Sequence, residues 1–305
     1  MSDLDYGDVR APWPGDTVVL PGRTLFVRRA PGSGEPAVFI HGLGGSSTNW
    51  TDLMGELQPE LNSISVDLPG FGQSPPPRDG DYSPAAHARA VAELIEHEFA
   101  GEPVHLFGNS MGGAISVQLA ARRPDLVRSV TLTAPALPER SPRRSNVHLP
   151  VISIPGVGTS MMRKYLTLDP QKRAKATIDL CFADSSRVPE VRWQEFAQEV
   201  ARRDGHPYLA DAFLGSLRGL MATYLDTGPE RPWKLTRRIT APTLVIYGRH
   251  DKLVNPKAAH QAHDSFPNAH VVVLSDCGHV PQMEHPDEVA AMWRRHIARR
   301  LAAHV

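Results

Sequence analysis

A chain of 305 residues, 41% of them hydrophobic, is long enough to bury a large core, as one domain with an elaboration or as two small domains. Its 33 basic and 33 acidic residues cancel, which argues against a nucleic acid or another polyanion as partner. No apolar run approaches the roughly 18 residues that span a bilayer, the first residues are acidic rather than signal-like, and Cys181 and Cys277 give no disulfide framework, so no stable membrane insertion and a cytoplasmic location are expected.

In chain order, residues 17–20 and 24–29 flank Pro21-Gly22-Arg23 and predict an antiparallel edge of two strands. Residues 35–40 predict a short buried strand running into His41-Gly42-Leu43-Gly44-Gly45, after which Trp50, Leu53, Met54 and Leu57 have helical spacing. Residues 63–67 read as the next strand. Ser83-Pro84 then opens a helix reaching about Phe99, with serine as N-cap and proline in the first turn. Residues 104–107 predict a strand, Gly108-Asn109-Ser110-Met111-Gly112 a tight turn, 114–123 a helix and 126–133 another strand. Strands alternating with helices in this way specify a mainly parallel sheet covered on both faces.

The alternation stops between 136 and 232. Residues 171–182, 189–201 and 209–225 carry helical periodicity there, and 147–162 is apolar and rich in Pro and Gly. Strands resume at 243–247 and 269–274, with helices at 256–266 and 286–302. The expected organisation is a first core segment, 1–135, an inserted helical cap, 136–232, and a second core segment, 233–305.

Functional groups of an open parallel sheet collect at the carboxyl ends of its strands. Ser110 stands at the tip of one such turn, and Gly108 and Gly112 lack the side chains that would collide around a strained central residue. A serine hydroxyl is a poor nucleophile until a base takes its proton. The loop after 269–274 offers His279 and the loop after 243–247 offers Asp251, and serine, acid, histidine is the chain order of an elbow-type triad. An imidazole takes the proton and later returns it, while a carboxylate on its far nitrogen fixes the tautomer. Asp276, Asp67 and Glu139 are rival acids, and His285 reads as structural.

The developing oxyanion needs two donors, expected from the backbone N–H groups of Met111, at a helix start, and Leu43. The glycine-rich loop lacks the Lys-Ser or Lys-Thr of a phosphate loop. His260 and His263 lie three apart on a helix without a third ligand, so neither metal nor other cofactor is expected. Trp193, Phe196, Phe213 and Tyr224 read chiefly as interior packing of the helical segment.

His41-Gly42-Leu43-Gly44, Asp67-Leu68-Pro69-Gly70-Phe71-Gly72-Gln73-Ser74, Gly108-Asn109-Ser110-Met111-Gly112-Gly113, Gly248-Arg249-His250-Asp251 and Gly278-His279, in that order, resemble the α/β-hydrolase fold family across nearly the whole chain from about residue 17. The resemblance implies an α/β-hydrolase fold, a mainly parallel eight-stranded sheet flanked by helices, with the cap inserted after the sixth strand. Serine at 110, where haloalkane dehalogenases and epoxide hydrolases carry aspartate, implies attack on a carbonyl. The expected reaction is hydrolysis of a carboxylic ester of a small to medium apolar acyl group through an acyl-enzyme.

The elbow is also similar to that of carbon-carbon hydrolases acting on aromatic ring-cleavage products. Those relatives typically carry Trp directly after the catalytic histidine, where Val280 stands here, and hold the substrate carboxylate with a cap arginine, for which Arg163, Arg187, Arg192 and Arg202 are available. A proline-type aminopeptidase would use cap carboxylates, with Glu190, Glu195 and Glu199 as candidates. A non-catalytic member would bind a small ligand in the same pocket. The sequence leaves the substrate open, and it allows a homodimer.

Overall fold

The computed structural model describes residues 4–139 and 148–302; the first three residues of the acidic N-terminus, Val147 of the apolar stretch and the last three residues of the second core segment lie outside them. Strands β1 (Gly15–Leu20) and β2 (Arg23–Ala30) form the antiparallel pair expected around Gly22, with Leu20 opposite Arg23. β2 also runs antiparallel to β4 (Leu61–Val66). From there β3 (Glu35–Ile40), β5 (Val104–Asn109), β6 (Val127–Thr133), β7 (Thr243–Gly248) and β8 (Ala269–Leu274) continue in parallel. The eight-stranded order is β1-β2-β4-β3-β5-β6-β7-β8. With β3 between β4 and β5, the strand order reverses at the centre of the sheet, and the β3 and β5 ends there carry His41 and Ser110.

Helices cover both faces. The first core segment supplies α1 (Thr51–Leu57), α2 (Pro84–Glu98) and α3 (Met111–Arg122), and the Ser83 hydroxyl caps α2 by accepting from the Ala86 N–H at 3.2 Å. Because side chains alternate along a strand, Val38 and Ile40 join Leu106, Val130 and Val245 in one core, beneath α2 and α3. Phe39 faces the other way and stacks on Phe107 at 4.3 Å between ring centroids, in a second core with Trp50 and Trp293.

Between β6 and β7 the described chain is helical: α4 (His148–Ser153), α5 (Val157–Leu166), α6 (Pro170–Cys181), α7 (Glu190–Arg203), α8 (Leu209–Leu225) and α9 (Pro232–Leu235). The apolar, Pro- and Gly-rich stretch forms α4 and the first part of α5. Pro155 and Gly156, the latter with φ of 81°, break them apart. The second core segment adds α10 (Ala258–Ser265), α11 (Pro281–Glu284), α12 (Pro286–Trp293) and α13 (Arg299–Ala302), with a π-helical turn over Arg294–Ala298 where the sequence predicts one regular helix. Among the described residues no helix is long and apolar enough to cross a membrane.

Candidate active site

Ser110 lies between β5 and α3 with φ 53° and ψ −116°, a conformation that costs a non-glycine residue about 1–3 kcal/mol. Its surroundings enforce it. The Ser110 N–H donates to the Thr133 carbonyl at 3.0 Å, and the Ser110 carbonyl accepts from Gly113, Ala114 and Ala136. A Cβ on Gly112 would stand 2.1 Å from the Ile40 carbonyl oxygen, and one on Gly108 would stand 2.5 Å from that of Gly112, so β3, β5 and α3 meet backbone to backbone at this point. Asn109, 5% exposed, donates from Nδ2 to the carbonyls of Thr133 and His279, both at 3.0 Å, and thereby ties the serine turn to the loop after β8.

Asp251 follows β7 and His279 follows β8; both are buried, and the structure brings them together, with His279 Nδ1 2.8 Å from Asp251 Oδ2. The other carboxylate oxygen, Oδ1, accepts from the N–H groups of Leu253 at 2.7 Å and Val254 at 2.9 Å. With the carboxylate as acceptor, Nδ1 carries the ring proton and Nε2 is left as the basic nitrogen. Asp276 is exposed and paired with Arg187 at 2.6 Å. Asp67 is buried below the loop after β4, where it accepts from Ser47 and Gln73 and burial pushes its carboxyl pKa up. Glu139 accepts from the Asn255 N–H at 2.8 Å, and His285 Nε2 donates to the Asp276 carbonyl at 2.7 Å.

Met111 is the first residue of α3, where a backbone N–H has no acceptor inside the helix. Leu43 sits within the Gly42–Gly45 turn closed by a 3.0 Å bond from the Gly45 N–H to the Gly42 carbonyl. That turn is held from below by His41, whose Nδ1 donates to the Gly42 carbonyl at 2.7 Å and whose Nε2 accepts the Leu68 N–H at 3.1 Å. Burial pushes the His41 pKa down to about 4, which keeps the ring neutral and able to do both. From above, Arg203 of α7 donates to the Gly44 carbonyl, and the Phe213 ring of α8 lies over Gly44. Arg203 is aligned in turn by Glu199 at 3.0 Å. Burial opposes the charge of Glu199, but Arg203 and Arg202 outweigh it and hold its carboxyl at about 2.

Ser110, His279 and Leu43 line one cavity of about 1120 Å³ between the strand ends and the helices inserted after β6. Leu149, Ile152 and Met162 make much of its apolar wall. Phe196, Phe213 and Tyr224 line it as well, Tyr224 while also packing against the core beneath α3, so three of the four aromatics read chiefly as interior packing reach the cavity. Trp193 differs, lying under the Lys175 ammonium at 5.8 Å. The insert's arginines on the wall, Arg173, Arg192 and Arg203, are each paired with a carboxylate. Cys181 also lines the cavity, but burial pushes its thiol up to about 12, which keeps it protonated. Among the described residues no group of three or more His, Cys, Asp or Glu side chains could share a metal ion.

The sequence signature of the α/β hydrolase fold family matches residues 36–286. The chain belongs to that family. It is 30% identical over 254 residues to Lipase 3 of Moraxella sp. (strain TA144), across 83% of this chain and 74% of the relative. It is 28% identical to 2-hydroxy-6-oxononadienedioate/2-hydroxy-6-oxononatrienedioate hydrolase 1 of Dechloromonas aromatica (strain RCB), across 86% of each chain. The solved structure of a thermophilic esterase from Thermogutta terrifontis superposes with a TM-score of 0.72 at 23% identity, covering 94% of this chain and 99% of that one.

Two positioning groups of this α/β hydrolase escape sequence reasoning, and both join the end of α6 to the acid and histidine loops. Glu284 accepts the Gly278 N–H with one oxygen and the Ala183 N–H with the other, each at 2.8 Å. Lys252, next to Asp251, donates to the Asp179 carbonyl at 2.5 Å and the Phe182 carbonyl at 3.3 Å, capping α6. The His279 N–H itself donates to the Cys181 carbonyl at 2.6 Å. A Cβ on Gly278 would meet that carbonyl oxygen at 2.5 Å, so this glycine is required by the backbone crossing above it. The visible signal was only Glu284 in Glu-His-Pro, which nothing local connects to a residue 101 positions away.

Proposed function

We propose that the protein is a carboxylic ester hydrolase working through an acyl-enzyme, with Ser110 as nucleophile, His279 as general base and acid, and Asp251 as the carboxylate that orients it. The buried Asp251–His279 pair on the wall of the cavity that Ser110 also lines carries this reading. Ser110 Oγ attacks the ester carbonyl while its proton passes to His279 Nε2; the imidazolium is stabilised by Asp251 and returns the proton to the leaving alkoxide. Water then repeats the sequence on the acyl-enzyme, releasing the acid and restoring the serine. The N–H groups of Leu43 and Met111 hold the oxyanion, each worth on the order of 3 kcal/mol to the transition state. The insert serves as the cap, and its apolar wall favours a hydrocarbon acyl group.

The Dechloromonas relative keeps carbon-carbon hydrolysis as the rival. Against it, the wall arginines Arg192 and Arg203 are already engaged by Asp52 with Glu195 and by Glu199. Those same pairs leave Glu195 and Glu199 poorly placed to hold a peptide amine. A panel of p-nitrophenyl esters of rising chain length, run beside a yellow ring-cleavage dienolate, separates the readings. Ester hydrolysis that Ser110→Ala abolishes is expected. Bleaching of the dienolate with no ester turnover would overturn the proposal, and labelling by a fluorophosphonate that Ser110→Ala prevents excludes a merely binding protein.

A further inference from the structure

Large apolar side chains are exposed in one place above all. Val151, Ile154, Val157, Met161, Tyr165 and Leu168, on α4, α5 and the turns that follow them, are between 38% and 49% exposed. Among the other described residues only Val19, Leu225 and Val273 are exposed large hydrophobics. The inner sides of the same two helices are apolar too: Ile152 and Met162 line the cavity, and α5 packs on Leu214 of α8 through Gly158. Apolar side chains thus stand on both the inner and the outer sides of these helices, between the polar Thr159, Ser160, Arg163 and Lys164 of α5, and the outer ones face water. Met161, Tyr165 and Leu225 are both exposed and part of the cavity lining, so exposed apolar side chains reach the mouth of the cavity.

The charge of the patch is predominantly positive. Residues 148–168 include no Asp or Glu, and the carboxylate of Asp169, which follows them, accepts the Gln171 and Lys172 N–H groups at the start of α6. Arg163 and Lys164 are exposed in the last turn of α5 and make no ion pair among the described residues. An apolar face rimmed by unpaired cations complements an anionic lipid surface, in which the hydrocarbon covers the side chains and the headgroups meet the cations. A second copy of this chain would bring the same two cations against each other across a two-fold interface.

We propose that the outer face of α4 and α5 docks on an anionic lipid surface and that the acyl substrate passes from it into the cavity across Met161 and Tyr165. The docking stands by itself; the passage of substrate rests on the ester-hydrolase reading. The test uses the full chain and sedimentation with vesicles of phosphatidylcholine, alone or mixed with phosphatidylglycerol. The protein is expected to pellet with the mixed vesicles, less with phosphatidylcholine alone, and to be released by salt. The triple variant Ile154→Ser, Val157→Ser, Leu168→Ser alters none of the cavity wall. It should remain in the supernatant and lose activity on emulsified long-chain triacylglycerol, with unchanged turnover of soluble p-nitrophenyl butyrate and an unchanged melting curve. Arg163→Gln with Lys164→Gln should weaken binding to the mixed vesicles on the order of tenfold and abolish the preference for them.

Failure of the native protein to bind either vesicle, or binding that the triple variant retains, overturns the docking. So does a native dimer in sedimentation velocity that the triple variant dissociates, since a second copy would then cover the face. Vesicle binding by Ser110→Ala equal to that of the native protein, with no ester turnover by either, would refute the hydrolase reading and leave the docking standing.

Discussion

Ser110 occupies a backbone conformation that persists only because β3, β5 and α3 leave it no other, and the neighbouring side chain shares in that constraint. Asn109 holds the carbonyls of Thr133 and His279, so it joins the Ser110 turn to the loop after β8. Its similarity to the carbon-carbon hydrolase elbow therefore has a structural explanation that does not depend on which bond is cleaved. Asn109→Ala leaves the buried His279 carbonyl without its donor and takes one of two donors from the Thr133 carbonyl, which keeps the Ser110 N–H, and a stability loss of about 1–3 kcal/mol is expected in denaturant titrations, with kcat lowered and KM little changed. A raised KM at constant kcat would instead place Asn109 on the substrate. Asp251→Asn keeps the shape of the acid but offers an amide where a carboxylate fixed the tautomer. Steady-state kinetics should show kcat reduced on the order of 10⁴-fold at nearly constant KM. Ser110, Asp251 and His279 could be picked out as candidates in the sequence because each lies one to three positions from a glycine in the turn after an apolar strand, a local pattern, and because they follow one another in the order serine, acid, histidine. Arg203 was not, since its partner is the Gly44 carbonyl 159 positions earlier, and periodicity does not reveal which face of α7 meets that loop.

The helices between β6 and β7 act on the reaction through two joints. One is α7 on the Gly42–Gly45 turn. Arg203→Ala removes the donor to Gly44 while Glu199 keeps Arg202 as partner, at 2.7 Å, so the helix should stay intact and the loss should fall on the Leu43 N–H, the proposed oxyanion donor. A fall in kcat between about 10- and 100-fold is expected on short soluble esters, partly recovered by Arg203→Lys. The other joint is the end of α6 on the histidine loop. Glu284→Gln replaces one of two acceptors with a donor facing an N–H, and a comparable fall in kcat is expected, with a lower melting temperature. The periodic helices α6, α7 and α8 were legible nearly to their ends. Their docking was not, because an amphipathic pattern reports that a face is covered but not by what.

Across the whole molecule, buried histidines, His41 and His87 among them, make the fold sensitive to acid. Burial pushes His41 to about 4 and His87 to about 3, both below the 6.5 of an unfolded histidine. As pH falls the unfolded chain therefore binds protons first. Stability is complete above pH 6.5 and is lost progressively down to about pH 4 for His41 and pH 3 for His87, with His41 alone accounting for about 3 kcal/mol. Urea midpoints measured from pH 7 to 3 should fall along this course, and His87→Gln, which replaces the ring that bonds Ser216 of α8 at 3.2 Å, should flatten it. The alternation of strands and helices made the sheet legible in the sequence, whereas the cavity was not, since it lies between elements drawn from both ends of the chain. That division has a consequence for synthesis. The strand that leads to Ser110 is completed long before the ribosome reaches residue 279, so on the ester-hydrolase proposal the emerging polypeptide would display a nucleophile with no base to activate it, and hydrolysis would wait until β7 and β8 have zipped onto β6.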